Sequence, residues 1–124
     1  MKQHNPQFLK LATAAKKEVK EITVKEAHQL IQKNPDLELI DVREESEFSA
    51  GHLPGAKNLS KGIIERDIEK AVPNNRKTLL LYCGGGFRSA LASVNLKKMG
   101  YENVISMDGG YTGWVEAGLP TEKE

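Results

Sequence analysis

The chain has a single cysteine, Cys83, among 124 residues. An internal disulfide is therefore excluded, and a reducing compartment suits the protein. It also lacks a dominant charge: 18 basic residues face 17 acidic ones, for a net charge of +1. That balance gives no electrostatic footprint for nucleic acid or for an acidic partner. No apolar run reaches the length of a membrane-spanning helix, and the first residues do not read as a signal peptide. The expected location is the cytoplasm. There are no internal repeats and no low-complexity stretch. The length fits one domain with one modest core.

The informative segment is Tyr82-Cys83-Gly84-Gly85-Gly86-Phe87-Arg88-Ser89. It follows an apolar, strand-like run from Thr78 to Tyr82 and precedes a helix-like run from Ser89 to Met99. A loop of this kind, leaving the carboxyl end of a strand, is where open α/β sheets bind ligands. Three glycines allow a tight turn with backbone N–H groups aimed inward. Arg88 adds a fixed positive charge. Such a loop is a cradle for an anion, and its amides, its arginine and the following helix dipole all favour a thiolate at Cys83. An isolated cysteine is more often a small buried apolar residue, but a filler needs neither three glycines nor an arginine.

Strands and helices alternate elsewhere too. Residues 1–20 are expected to hold an amphipathic helix over 5–20. Its apolar stripe is Phe8, Leu11, Ala12, Ala15, Val19 and Ile22, and its lysines Lys10, Lys16, Lys17 and Lys20 face solvent. The expectation is a helix lying on its own domain; the other reading is a docking arm for a partner or an anionic membrane. Glu21–Val24 is a short strand candidate, and Thr23 with Glu26 forms a capping box for a helix ending near Asn34-Pro35. Strands over Leu37–Val42, Ala56–Leu59 and Val104–Met107, with helices over Glu44–Ala50 and Ile63–Val72 and a last helix carrying Trp114 that Gly109-Gly110 leads into, complete the pattern. Short connections between alternating elements predict a parallel sheet covered on both faces.

Three segments together carry a family resemblance: CGGGFRS, LIDVREESEFSAGHLPGAKNLS (39–60) and MGYENVISMDGGYTGW (99–114). In this order they resemble a single-domain rhodanese, of the thiosulfate sulfurtransferase type, over about residues 21–120, leaving 121–124 as a tail. The resemblance implies a five-stranded parallel sheet with helices on both sides. It implies Cys83 as a persulfide-forming nucleophile and Cys83 to Arg88 as its cradle, with Gly84, Gly85, Gly86, Phe87 and Ser89 around the substrate. Four residues separate Cys83 from Arg88, as in the sulfurtransferases of the family; a loop one residue longer marks phosphatases of the same fold. Arg43 matches an arginine that contacts the anionic substrate in parts of the family; its other reading is a surface ion pair with Glu44 or Glu47.

Other polar residues read as structural. Asp41 is expected to fix its turn by accepting backbone N–H bonds. His52 is expected to be a hydrogen-bonded structural histidine, Asp108 a cap for the last helix, and Trp114 a core residue. His4, His28 and His52 are scattered, so the expectation includes no metal and no cofactor. The expected reaction is ping-pong transfer of a sulfane sulfur from a small anionic donor, thiosulfate or a persulfide, to a thiol or cyanide. With no second cysteine the acceptor comes from outside, and donor or acceptor could be a protein persulfide. The alternatives are a cysteine phosphatase, an arsenate reductase, or a non-catalytic binding module.

Overall fold

A computed structural model describes residues 4–124, so the first three residues of the expected N-terminal segment lie outside the described residues. In chain order the elements are α1 (Pro6–Glu18), β1 (Lys20–Ile22), α2 (Val24–Lys33), β2 (Glu38–Asp41), α3 (Glu45–Ala50), β3 (Lys57–Asn58), α4 (Ile64–Ala71), β4 (Thr78–Tyr82), α5 (Phe87–Lys98), β5 (Asn103–Met107) and α6 (Gly110–Glu116). The five strands form one parallel sheet in the order β1-β5-β4-β2-β3. This is the architecture the alternation predicts. β4 is central, and its residues from Leu79 to Tyr82 are buried, as a strand covered on both faces requires.

Alternation along β4 divides the core. Leu79, Leu81 and Cys83 join Ile64 and Ile68 of α4 and Ala92 and Leu96 of α5 on one face. Leu80 and Tyr82 join Ala27 of α2 and Trp114 of α6 on the other. Trp114 is thus a core residue, and its indole N–H donates to the Pro120 carbonyl at 2.8 Å. The C-terminal residues are tied down as well. Backbone bonds of 2.9 and 2.8 Å pair Glu122 with His52 in an isolated antiparallel bridge.

Two local differences from the sequence reading have simple causes. β1 ends at Ile22 rather than Val24, because Thr23 is spent on capping: its Oγ1 accepts from Glu26 N at 3.1 Å while Glu26 accepts from Thr23 N at 2.9 Å. In α1 the buried stripe is narrower than the apolar spacing suggests. Ala12 and Ala15 are buried, α1 lies along α5, and Leu11 is 62% exposed. Lys16 does not face solvent. It follows Ala12 by one helical turn on the flank of the stripe, where it pairs with Glu21 and with Asp108 Oδ1 at 3.1 Å. Burial works against its charge, but those two carboxylates offset this and leave its pKa raised.

Candidate active site

The loop leaves β4 at Cys83 and enters α5 at Phe87, two residues earlier than the sequence suggests. Gly86 makes this possible. It is the N-cap of α5 with φ +113°, a backbone conformation that L side chains rarely adopt. There its N–H donates to Cys83 Sγ at 3.0 Å. The cysteine is only 1% exposed. Ser89, fully buried in the first turn of α5, places its Oγ 3.6 Å from Cys83 Sγ. That hydroxyl also meets Ser106 Oγ of β5 at 2.8 Å and donates to the Gly86 carbonyl at 3.2 Å.

The start of α6 clamps the loop from the far side. Tyr111 N–H donates to the Cys83 carbonyl at 2.7 Å and Thr112 N–H to the Gly84 carbonyl at 3.0 Å. Gly110 is what permits this approach: a Cβ there would stand 2.4 Å from the Cys83 oxygen. Asp108, expected to cap α6, does not. Gly109 occupies the N-cap position without a side-chain bond, and the Asp108 carboxylate turns to Lys16.

Arg88 does not stand alone beside the cysteine. Its Nη1 and Nη2 donate to Glu47 Oε1 and Oε2 at 2.9 and 3.2 Å, a two-pronged pair joining α5 to α3. Glu47 Oε1 also accepts from Glu44 N at 2.9 Å. The Arg88 hydrogen bonds, helped by the Glu44 amide and opposed by partial burial, bring the Glu47 carboxyl down to about 2. The sequence reading offers Glu47 only as a surface partner for Arg43, and nothing local in the sequence marks a partner 41 positions away.

Arg43 takes neither of its two expected places. It is 4% exposed, and its guanidinium grips the fully buried Asp41 carboxylate, with Nη2 to Oδ2 at 2.7 Å and a further bond to the Gly51 carbonyl. It lies 4.1 Å from the Tyr111 ring centroid. Asp41 also accepts from Arg43 N at 2.9 Å, the turn-fixing bond expected of it. Next to this pair, burial foremost and then the Asp41 charge push the Tyr82 hydroxyl pKa well up. His52 is buried, stacks on Phe48 at 3.8 Å and shares Nδ1 with the Phe48 carbonyl at 2.8 Å, the structural arrangement anticipated.

A cavity of about 600 Å³ opens over the loop. Cys83, Gly84, Gly85, Phe87 and Arg88 line it, together with Glu47 and Thr112. Gly86, Ser89 and Arg43 are not part of its lining. The remaining wall is a surprise: His4, Asn5 and Phe8, from the N-terminal segment, complete it. Read alone, these residues look like the ordinary beginning of a surface helix. No motif or period links them to the loop.

A family model for the rhodanese-like domain matches residues 23–117. The chain belongs to the rhodanese-like domain family. It is 30% identical over 103 residues to a thiosulfate sulfurtransferase, GlpE, from Pseudoalteromonas translucida, covering 79% of this chain and 90% of that one. Among solved structures it resembles the polysulfide-sulfur transferase homodimer of Wolinella succinogenes, with a TM-score of 0.81 and 31% identity over 95% of this chain and 88% of that one. It also resembles a Rhodopseudomonas palustris protein of unknown function described as a possible tyrosine phosphatase, with a TM-score of 0.86 and 27% identity over 98% and 99% of the two chains. Some curated relatives are longer, and this chain spans about a quarter to a half of those. Relatives named for sulfur transfer support that chemistry at the level of the family. Among the described residues no helix is long and apolar enough to cross a membrane.

Proposed function

We propose that the protein is a sulfurtransferase whose Cys83 carries a sulfane sulfur as a persulfide between a donor and an external thiophilic acceptor. The observation that carries this reading is the Gly86 N–H directed at Cys83 Sγ from a loop with four residues between cysteine and arginine. A backbone donor held by a strand end and a helix start is fixed before substrate arrives, so negative charge on sulfur is met without reorganisation. In the proposed cycle the Cys83 thiolate attacks the outer sulfur of the donor. The bond between that sulfur and the rest of the donor breaks, and its electron pair leaves with the reduced donor. The acceptor then attacks the outer sulfur of the persulfide and restores the thiolate. Arg88 and the Gly86 amide meet the charge that moves through the cavity, and Ser89 holds the sulfur's flank.

The test is the mass of the intact protein. Incubation with thiosulfate or an organic persulfide adds one sulfur atom, and cyanide removes it. A Cys83→Ser variant that still gains the mass and turns over would sink the assignment.

The likeness to a possible tyrosine phosphatase keeps a second reading in view, in which Cys83 carries a phosphoryl group. The short loop speaks against it, since a tetrahedral phosphate needs a wider cradle. Hydrolysis of a small aryl phosphate, dependent on Cys83 and unaccompanied by persulfide formation, would replace the first reading with the second.

A further inference from the structure

The family model begins at residue 23, yet the cavity over Cys83 is walled in part by His4, Asn5 and Phe8. These residues build an aromatic surface with Phe87 of the loop. The His4 ring meets Phe87 edge-on at 5.0 Å, Phe8 meets it edge-on at 6.2 Å, and His4 and Phe8 lie 5.2 Å apart. Behind Phe87 stands Lys16 Nζ, 5.6 Å from the ring centroid and tied to Glu21 and Asp108. Thus α1 reaches the site at two places. Among the described residues the one guanidinium lining the cavity, that of Arg88, is already matched by Glu47. A cavity of about 600 Å³ with a paired charge and a three-ring wall is large for a small inorganic dianion, and among the described residues its lining offers no lysine or arginine beyond that pair.

We infer that α1 is a specificity element, and that His4, Phe8 and Phe87 select a donor whose sulfane sulfur is carried on an apolar or aromatic organic group. The inference rests on the sulfur-transfer reading and names its substrate class. With benzenethiosulfonate as the representative donor, the ring lies against the aromatic wall and the terminal sulfur points to Cys83. The thiolate attacks that sulfur and a new S–S bond forms. The bond to the sulfonyl sulfur breaks, and its electron pair departs on benzenesulfinate. Charge is conserved, two negative charges before and two after, and no outside oxidant or reductant is needed.

The experiment compares benzenethiosulfonate with thiosulfate in the full chain. The readouts are kcat/KM for each donor and the persulfide mass. Two variants report on the wall. Phe8→Leu keeps an apolar contact for α1 but removes a ring; His4→Ala changes an exposed residue that precedes α1. Aromatic contacts of this kind predict a fall of about five- to tenfold in the benzenethiosulfonate to thiosulfate ratio of kcat/KM in Phe8→Leu, and a smaller fall in His4→Ala. Melting temperature checks that α1 remains docked. If persulfide forms but neither variant moves the ratio, the wall does not select the donor and this inference is overturned while sulfur transfer stands. If neither donor yields a persulfide in the unmodified protein, the sulfur-transfer reading falls and the specificity inference falls with it.

Discussion

Arg88 and Glu47 close on one another through both carboxylate oxygens, at 2.9 and 3.2 Å, so the arginine of the cradle carries its own counter-charge. Any anion that approaches Cys83 competes with Glu47 for that guanidinium. The pair also fixes the spacing of α3 from the first turn of α5, and so the width of the entrance.

The pair makes stability depend on pH in a definite direction. The Glu47 carboxyl sits at about 2, below the ~4.3 of a free glutamate. A depressed carboxyl stabilises the fold fully above the unfolded value, and that contribution is lost as pH falls from about 4.3 towards 2. Both side chains are partly solvated, 26% and 37% exposed, so screening limits the pair to about 1 kcal/mol or less. Glu47→Gln is expected to melt a few degrees lower than the unmodified protein at pH 7, with the gap closing as pH drops below 4. The same substitution frees Arg88, and the KM for thiosulfate falls. A melting difference that persists unchanged at pH 2.5 would rule out the ion pair as its source.

Behind the cysteine, Ser89 and Ser106 hydrogen-bond to each other, both fully buried. Removing one hydroxyl leaves the other buried with its partner gone, which costs about 1–3 kcal/mol. Ser89→Ala is therefore expected to lose stability on that scale in urea, and Ser89→Ala/Ser106→Ala to recover most of it. The double-mutant cycle measures this directly. Additive losses would mean that the two hydroxyls do not depend on one another.

Arg43 and Asp41 make a buried pair away from the cavity. Arg43→Met strands a carboxylate that is 0% exposed, and breaking such a pair typically costs about 3–5 kcal/mol. Denaturant unfolding of Arg43→Met should show a loss of this size. Arg43→Lys keeps the charge, and its KM for thiosulfate is expected to stay within about twofold, because the guanidinium does not line the cavity over Cys83. A large KM rise in a well-folded Arg43→Lys would return this residue to the substrate.

What could be read from the sequence was whatever is local. The Thr23–Glu26 capping box appears with both of its bonds, and the strand, loop and helix around Cys83 follow in the order the apolar run and the glycines predict, with the helix starting two residues early. Each depends on residues within one or two turns of each other. Pairings across the fold were illegible for the converse reason. Glu47 and Arg88 are 41 positions apart, and Lys16 and Asp108 are 92 apart, so no periodicity joins them. Leu11 and Lys16 show the limit of helical spacing itself. A stripe gives a direction, but how far round the helix burial extends depends on the partner surface. Here α5 meets α1 closely at Ala12 and Ala15 and leaves Leu11 outside.

The 1% exposure of Cys83 governs how the chain ages in air. A disulfide between two copies requires their sulfurs to meet at about 2.05 Å and their Cα atoms to come within about 7 Å. A sulfur set behind the loop, between a β-strand and the first turn of α5, cannot be brought that close to its twin while both molecules stay folded. Oxidative cross-linking is thereby confined to unfolded chains, and the only thiol in the protein is kept for molecules slender enough to enter.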